Sequence, residues 1–265
     1  MRHAQLLSIA GLVVAAAILA GGAAAAPARH AGGTSLVFCS DMTYPPEESI
    51  VGGKPVGSDI DIGREIAKRL GLTAQFQNTG FDAIIAALLG KKCDAIISGM
   101  NDTPARRKQV SFVDYMAVGQ SLMVAKGNPL KIKNLTDLSG RSVSVEVGTT
   151  NKDFLTAESK KLTAAGKKAI KIVAFPHDTD AAAALKTDKV DAYFGDSPVV
   201  AYYVAKDTSF AFAGAPVNPI PVGIAIRKGD ALIAKVQKAV NALYADGTMK
   251  RILAKWKMTD VLLKK

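Results

Sequence analysis

The sequence is poor in the residues that most often carry chemistry. It has three histidines, two cysteines and one tryptophan among 265 residues. His3 lies in an apolar N-terminal stretch, and His30 and His177 stand far apart, so no His, Cys, Asp and Glu cluster shows metal-ligand spacing. No metal and no cofactor is expected. No G-x-S-x-G or comparable nucleophile motif occurs. Only one long apolar run is present, at the N-terminus, so no transmembrane span is expected beyond it. Acidic residues are outnumbered, 23 against 34 basic ones, which leaves a net charge of +11. Such an excess can mark nucleic-acid or anionic-membrane partners. Here the lysines are scattered over predicted helix faces, as at Lys160-Lys161, Lys167-Lys168 and Lys235-Lys238, without an aromatic-interleaved patch. No nucleic-acid partner is expected. Internal repeats and low-complexity segments are also missing after the N-terminal stretch.

That stretch, residues 1–25, has an arginine near its start, an apolar run from Leu6 to Ala20 and then glycines and alanines. It reads as a secretory signal peptide cleaved near Ala25. No cysteine follows the run closely enough for lipid attachment. The expected product is an exported, soluble protein.

The remaining chain alternates predicted strands and helices, as a doubly wound α/β sheet does. At its centre lies Cys93 to Arg107, CDAIISGMNDTPARR. Asp94 to Ser98 is a short apolar run ending at Gly99, which predicts a buried strand of a parallel sheet. Asn101, Asp102 and Thr103 before Pro104 predict a helix start. Arg106 follows, beyond the carboxyl end of the strand, where ligands of open α/β sheets bind. An arginine there can grip a carboxylate with two parallel hydrogen bonds. By itself the run also allows a surface arginine beside Arg107 and Lys108. Further along, Gly148-Thr149-Thr150 opens a predicted helix after the strand Ser142 to Val147. Gly195-Asp196-Ser197-Pro198 follows the strand Val190 to Phe194. Each of these is explained equally well by helix capping.

Two cysteines in an exported chain invite a disulfide. Cys39 comes late in the predicted strand Leu36 to Ser40, and Cys93 begins its own. Parallel neighbours would offset them by about three residues, or roughly 10 Å, against the ~7 Å limit between bonded Cα atoms. The expectation is two buried thiols rather than a bond.

The segment Phe81 to Tyr115, FDAIIAALLGKKCDAIISGMNDTPARRKQVSFVDY, resembles the polar-amino-acid solute-binding proteins of ABC importers. An aromatic-Asp-x-Leu-Ile-x-Ala-Leu helix, a Gly-Lys-x-Asp-Ala strand and a Gly-Met-Thr-x-Thr-x-x-Arg loop occur in that order. The resemblance runs on from about Leu36 to Trp256. Asn101 departs from it, standing where the family has Thr or Ser, and so does Glu47, where the family commonly has Phe.

The resemblance implies a periplasmic binding protein-like fold of type II, with two doubly wound lobes joined by a two-segment hinge. The first lobe would comprise 34–118 and 219–265 and the second 119–218, with crossings at Val118-Gly119-Gln120 and Pro219 to Ile226. It implies a periplasmic monomer that passes an amino acid to the importer's membrane permease. Ser98, Gly99, Asn101 and Arg106 would form the first-lobe part of the site. Thr149 and Thr150 would offer backbone amides to the ligand carboxylate, and Asp196 would meet its ammonium. Tyr44 and Phe81 would enclose the side chain. Asp41, with Glu47 and Glu48 nearby, would face the side chain's end and favour arginine, lysine, histidine or a flat amide such as glutamine. The alternative for Asp41 is a plain loop cap. Cyclohexadienyl dehydratases resemble the same scaffold, and an enzyme of that kind would need Glu146 or Asp196 as its acid.

Overall fold

The computed structural model describes residues 34–263; the predicted signal peptide lies outside the described residues. The chain opens with β1 (Ser35–Ser40) and a small antiparallel ribbon of β2 (Thr43–Tyr44), β3 (Glu48–Val51) and β4 (Lys54–Val56). Then come α1 (Ser58–Arg69), β5 (Thr73–Asn78), a 3-10 turn at Phe81–Ala83, α2 (Ile84–Leu89), β6 (Ala95–Ile96) and α3 (Pro104–Arg107). A long strand, β7 (Val110–Ala125), leads to β8 (Ser142–Glu146), α4 (Thr150–Ala164), β9 (Lys171–Phe175), α5 (Asp178–Lys186), β10 (Ala192–Asp196) and α6 (Ser197–Lys206). The chain returns through β11 (Phe210–Arg227) and closes with α7 (Leu232–Ala245) and α8 (Thr248–Lys255).

The sheet order is β5-β1-β6-β11-β7-β10-β8-β9. Each end is a parallel trio, and the two trios are joined by β11 and β7, which run antiparallel to each other. The two crossings anticipated as short segments are therefore parts of strands 16 and 18 residues long. Their register slips between Ala213 and Val217, between Val217 and Ile220, and between Val222 and Gly223. The slip between Val217 and Ile220, opposite Gln120 and Val118, interrupts the ladder where the ribbon passes between lobes.

Each trio is covered on both faces. In the first lobe, Phe38, Ile62, Tyr115, Ile224, Val240 and Leu253 form one core, and Val37, Ile84, Leu88 and Ile96 form another. In the second lobe, Leu138, Val145, Leu155 and Phe194 lie on one side, and Ala181, Tyr193, Val199 and Val200 on the other. Apolar helix stripes against β-branched strands explain this arrangement. Tyr44 comes from the first lobe, yet it is buried in the second lobe's core cluster. The lobes are closed on each other.

Three local expectations are corrected. Asp41 to Glu48 is not a plain loop, because β2 and the start of β3 pair across it through Thr43–Ser49 and Tyr44–Glu48. The strand expected over Asp94 to Ser98 is only Ala95–Ile96. Cys39 and Cys93 are bonded, with Cα atoms 5.6 Å apart. The straight-strand offset failed because Cys93 precedes β6 in an irregular turn. There the chain is drawn against β1 by hydrogen bonds between Asp94 and Val37, both N–H to carbonyl and N–H to carboxylate. The bond closes a span of 54 residues. Replacing both cysteines by alanine should lower the unfolding free energy by about 2–5 kcal/mol. Denaturant titration checks this, and an unchanged midpoint would mean that the bond adds nothing to the native state.

Candidate functional site

The loops at the carboxyl ends of β1, β6, β8 and β10 converge on one narrow, nearly closed cavity of about 10 Å³. Tyr44, Phe81, Gly99 and Asn101 line it from the first lobe, and Glu146, Thr149, Asn151 and Asp196 from the second. Arg106 lies beside it, only 9 % exposed, with its guanidinium 5.3 Å from the Phe81 ring centroid. Thr103 caps α3 by accepting the Arg106 N–H, and Pro104 follows at the first helical position. This short helix turns Arg106 inward. Arg107 points outward and pairs with Asp102. Two of the five guanidinium donors go to backbone carbonyls, Nη1 to Asn101 at 2.8 Å and Nη2 to Gly148 at 3.1 Å. The others remain for a carboxylate.

The second lobe presents the start of α4. Thr149 caps it, accepting from Lys152 N–H and donating to the Glu146 carbonyl at 2.8 Å. Thr150 donates to Asn101 Oδ1 at 2.5 Å, across the cleft. Gly148 has φ +73°, and a Cβ there would come within 3.0 Å of the Asp82 backbone, so only glycine permits this approach. The Tyr44 hydroxyl accepts from Asp196 N–H at 3.2 Å, and Asp178 N–H donates to Thr43 Oγ1 at 3.3 Å. These bonds hold the two lobes shut.

Acidic groups dominate the enclosed space. Asp196, 2 % exposed, accepts from Asn151 Nδ2, and burial pushes its pKa up to about 6 against the pull of Asn151, Tyr44 and Arg106. Asp178 accepts from the Tyr193 and Tyr203 hydroxyls and is pushed up to about 7 by burial. Glu146, 3 % exposed, is pushed up to about 10 by burial and then by the charges of Asp178 and Asp41. Burial lowers the Arg106 pKa, and the Asp196 charge opposes that shift. Among the described residues, Glu146 Oε1 and Asn151 Oδ1 have no hydrogen-bond partner. Asn101 Nδ2 faces Asp196 but forms no hydrogen bond of normal geometry. Three unpartnered polar atoms around one cavity mark where a polar occupant would bond.

Asp41 and Ser98 sit one layer back, behind Gly99. Asp41 Oδ1 accepts from Thr43 N–H and Oγ1, and its Oδ2 accepts from Phe81 N–H at 2.7 Å. Both oxygens therefore serve the loop and the turn that carries Phe81. Ser98 donates to Glu48 and accepts from Asp41 N–H, while Gly99 N–H is directed to Asp59. Gly99, at φ +52°, brings the backbone against the Tyr44 ring, where a Cβ would meet ring carbons at 3.1 Å. Behind it Glu47, Glu48 and Asp59 are all buried. Burial raises each pKa, and for Glu47 and Glu48 the nearby Asp59 adds to the shift.

A profile of the bacterial extracellular solute-binding proteins, family 3, matches residues 36–259. The chain belongs to that family. It is 32 % identical over 226 residues to ABC transporter arginine-binding protein 1 of Escherichia coli K12, covering 83 % of this chain and 89 % of the relative. Among solved structures it resembles an ancestral arginine-binding protein bound to arginine. That match has a TM-score of 0.78 and 36 % identity over 84 % of this chain and 98 % of the other. It also resembles an ancestral amino-acid-binding protein described as a precursor of cyclohexadienyl dehydratase, with a TM-score of 0.77 and 34 % identity over 84 % and 95 %.

This family 3 member thus brings Tyr44, Phe81, Gly99, Asn101, Arg106, Thr149, Thr150 and Asp196 together and sets Asp41 and Ser98 behind them. Sequence reasoning left Asn151 out of the site and considered Glu146 only as an enzyme's acid. The signal for both was position, since they flank the Gly148-Thr149-Thr150 turn. The Glu146 environment makes a testable claim about the ligand-free protein. Its folded-state pKa lies above the ordinary 4.5, so the folded state binds the extra proton. Its contribution is fully present below about pH 4.5 and is lost as pH rises toward 10. Glu146→Gln should therefore gain in melting temperature relative to the parent as pH goes from 5 to 9. A difference that stays flat across that range would mean that Glu146 is hydrated and charged throughout.

Proposed function

We propose that the protein is the soluble receptor of an ABC importer, which binds a polar amino acid, cationic or amide, between its lobes and hands it to the membrane permease. One observation carries this reading: fixed partners for both ends of a zwitterion lie across one closed cleft. Arg106 and the first turn of α4 suit the carboxylate, and Asp196 suits the ammonium. Burying both ends is tolerable because each charge meets a partner held in place. Tyr44, Phe81 and Gly99 wall the space between, Asn101 adds a polar contact, and Ser98 and Asp41 shape the layer behind. The arginine-binding relatives support a basic ligand. The named relatives are binding proteins, and this chain is a binding protein rather than an enzyme.

The lobes are proposed as 34–118 with 219–265, and 119–218. The protein would work as a periplasmic monomer after removal of residues 1–25. Periplasmic relatives support that location, and among the described residues no helix is long and apolar enough to cross a membrane.

A thermal-shift screen of the twenty amino acids should find at least one that raises the melting temperature. Arg106→Ala should then lose about 2–5 kcal/mol of affinity for it by calorimetry, because the ligand carboxylate is left unpaired in a closed site. Affinity close to the parent's would remove Arg106 from the site.

Closure makes a separate prediction. The ligand touches both lobes, so it favours the closed state, and the radius of gyration should fall when ligand is added. A scattering profile that does not change would sink the hinge reading.

A further inference from the structure

The zwitterion accounts for Arg106 and Asp196 but leaves Glu146 unused. Glu146 ends β8 and lines the same cavity as Tyr44, Phe81 and Asp196. The backbone N–H of Asp178 at the start of α5, which donates to Thr43 Oγ1, lies near its carboxyl group. One carboxyl oxygen, Oε1, has no partner among the described residues. The groups facing it are Asp41 from the β1–β2 loop, Asp178 from α5, Asp196 from β10 and the Tyr203 hydroxyl from α6. His177 faces Asp41, and Arg106 faces Asp196. Glu146 is thus a buried carboxyl group with an open acceptor in an acidic setting. Asp41, which the sequence suggested for the side-chain end of the site, has one oxygen satisfied by Thr43 in its own loop and the other by the Phe81 N–H.

We propose that Glu146 is the specificity-determining residue for the ligand's side chain, and that it selects a guanidinium or ammonium over a neutral group of the same shape. This rests on the amino-acid reading of the cleft given above. The side chain's N–H groups donate to Oε1, and its charge offsets the surrounding carboxylates. The exchange balances as a proton transfer. Without ligand, burial and its acidic neighbours keep Glu146 protonated up to about pH 10. When a cation enters, the carboxyl proton leaves to the buffer and a carboxylate–cation pair remains. A neutral side chain leaves the proton in place. Affinity for the cationic ligand should therefore rise with pH through the neutral range, because fewer protons are bound in the complex than in the free protein.

Calorimetry at pH 7.5 with L-arginine and with L-citrulline, its neutral isostere, tests this. Each titration is run in phosphate and in Tris, whose ionisation heats differ. The parent should bind arginine about 100-fold more tightly than citrulline and release about one proton with arginine and none with citrulline. In Glu146→Gln the arginine preference should fall by about tenfold or more, and the buffer dependence should vanish. Circular dichroism melting confirms that the variant is folded, and the buffer comparison on the parent stands without any variant. Equal proton release with both ligands, or an arginine preference that persists in folded Glu146→Gln, overturns the proposal. If citrulline or glutamine binds but arginine is not preferred, Glu146 fails while the amino-acid reading stands. If no amino acid binds the parent, both fail.

Discussion

A carboxylate taken out of water must find a partner or hold its proton, and that constraint shapes the centre of this molecule. Glu146 and Asp196 line one closed space, Asp41 and Asp178 lie close to them, and Glu47, Glu48 and Asp59 are buried further back. Several find donors inside the protein. Asp178 takes two tyrosine hydroxyls, Asp41 a threonine and the Phe81 amide, and Asp59 the Tyr115 hydroxyl and the Gly99 amide. These donors turn the acids into scaffolding that holds Phe81, Gly99 and Tyr193 in place. Glu146 and Asp196 are left facing the cavity. Their incomplete satisfaction is what a charged ligand can relieve.

The antiparallel β7–β11 ribbon is what joins the two sides of that arrangement. It is the stretch of sheet shared by both lobes, and one of its register slips, between Val217 and Ile220, falls at the crossing. Each parallel trio keeps its own two-sided core, so the halves can move as bodies without exposing apolar interior. What crosses the cleft is mostly polar and small in number, such as the Thr150–Asn101 and Arg106–Gly148 bonds. Tyr44 is the exception, an aromatic ring that reaches into the opposite core. Contacts of this size suit a closed state whose balance a ligand can shift.

The order of strands and helices was legible from hydrophobic periodicity, and Arg106 could be read from the proline-capped turn before it. The Asp41–Glu48 ribbon was not legible, because two-residue strands leave no alternating pattern and the prolines masked the pairing. The Cys39–Cys93 bond was missed because a straight-strand offset ignores the turn before β6. Asp41 could be placed near the site, but its spacing said nothing about which donors would reach its oxygens.

The sequence alone determined the features set by local chemistry: alternating apolar runs that must be buried in sheets, capped helix starts, and glycines where the backbone turns sharply. It also determined the family, through motifs that occur in the right order. Only the tertiary structure decided which acids are satisfied by the protein and which face the cavity. That outcome depends on donors brought from distant segments, Phe81 to Asp41, Tyr203 to Asp178 and Asn151 to Asp196, and a hydrogen bond between residues far apart in the chain exists only once the fold has placed them within about 3 Å of each other.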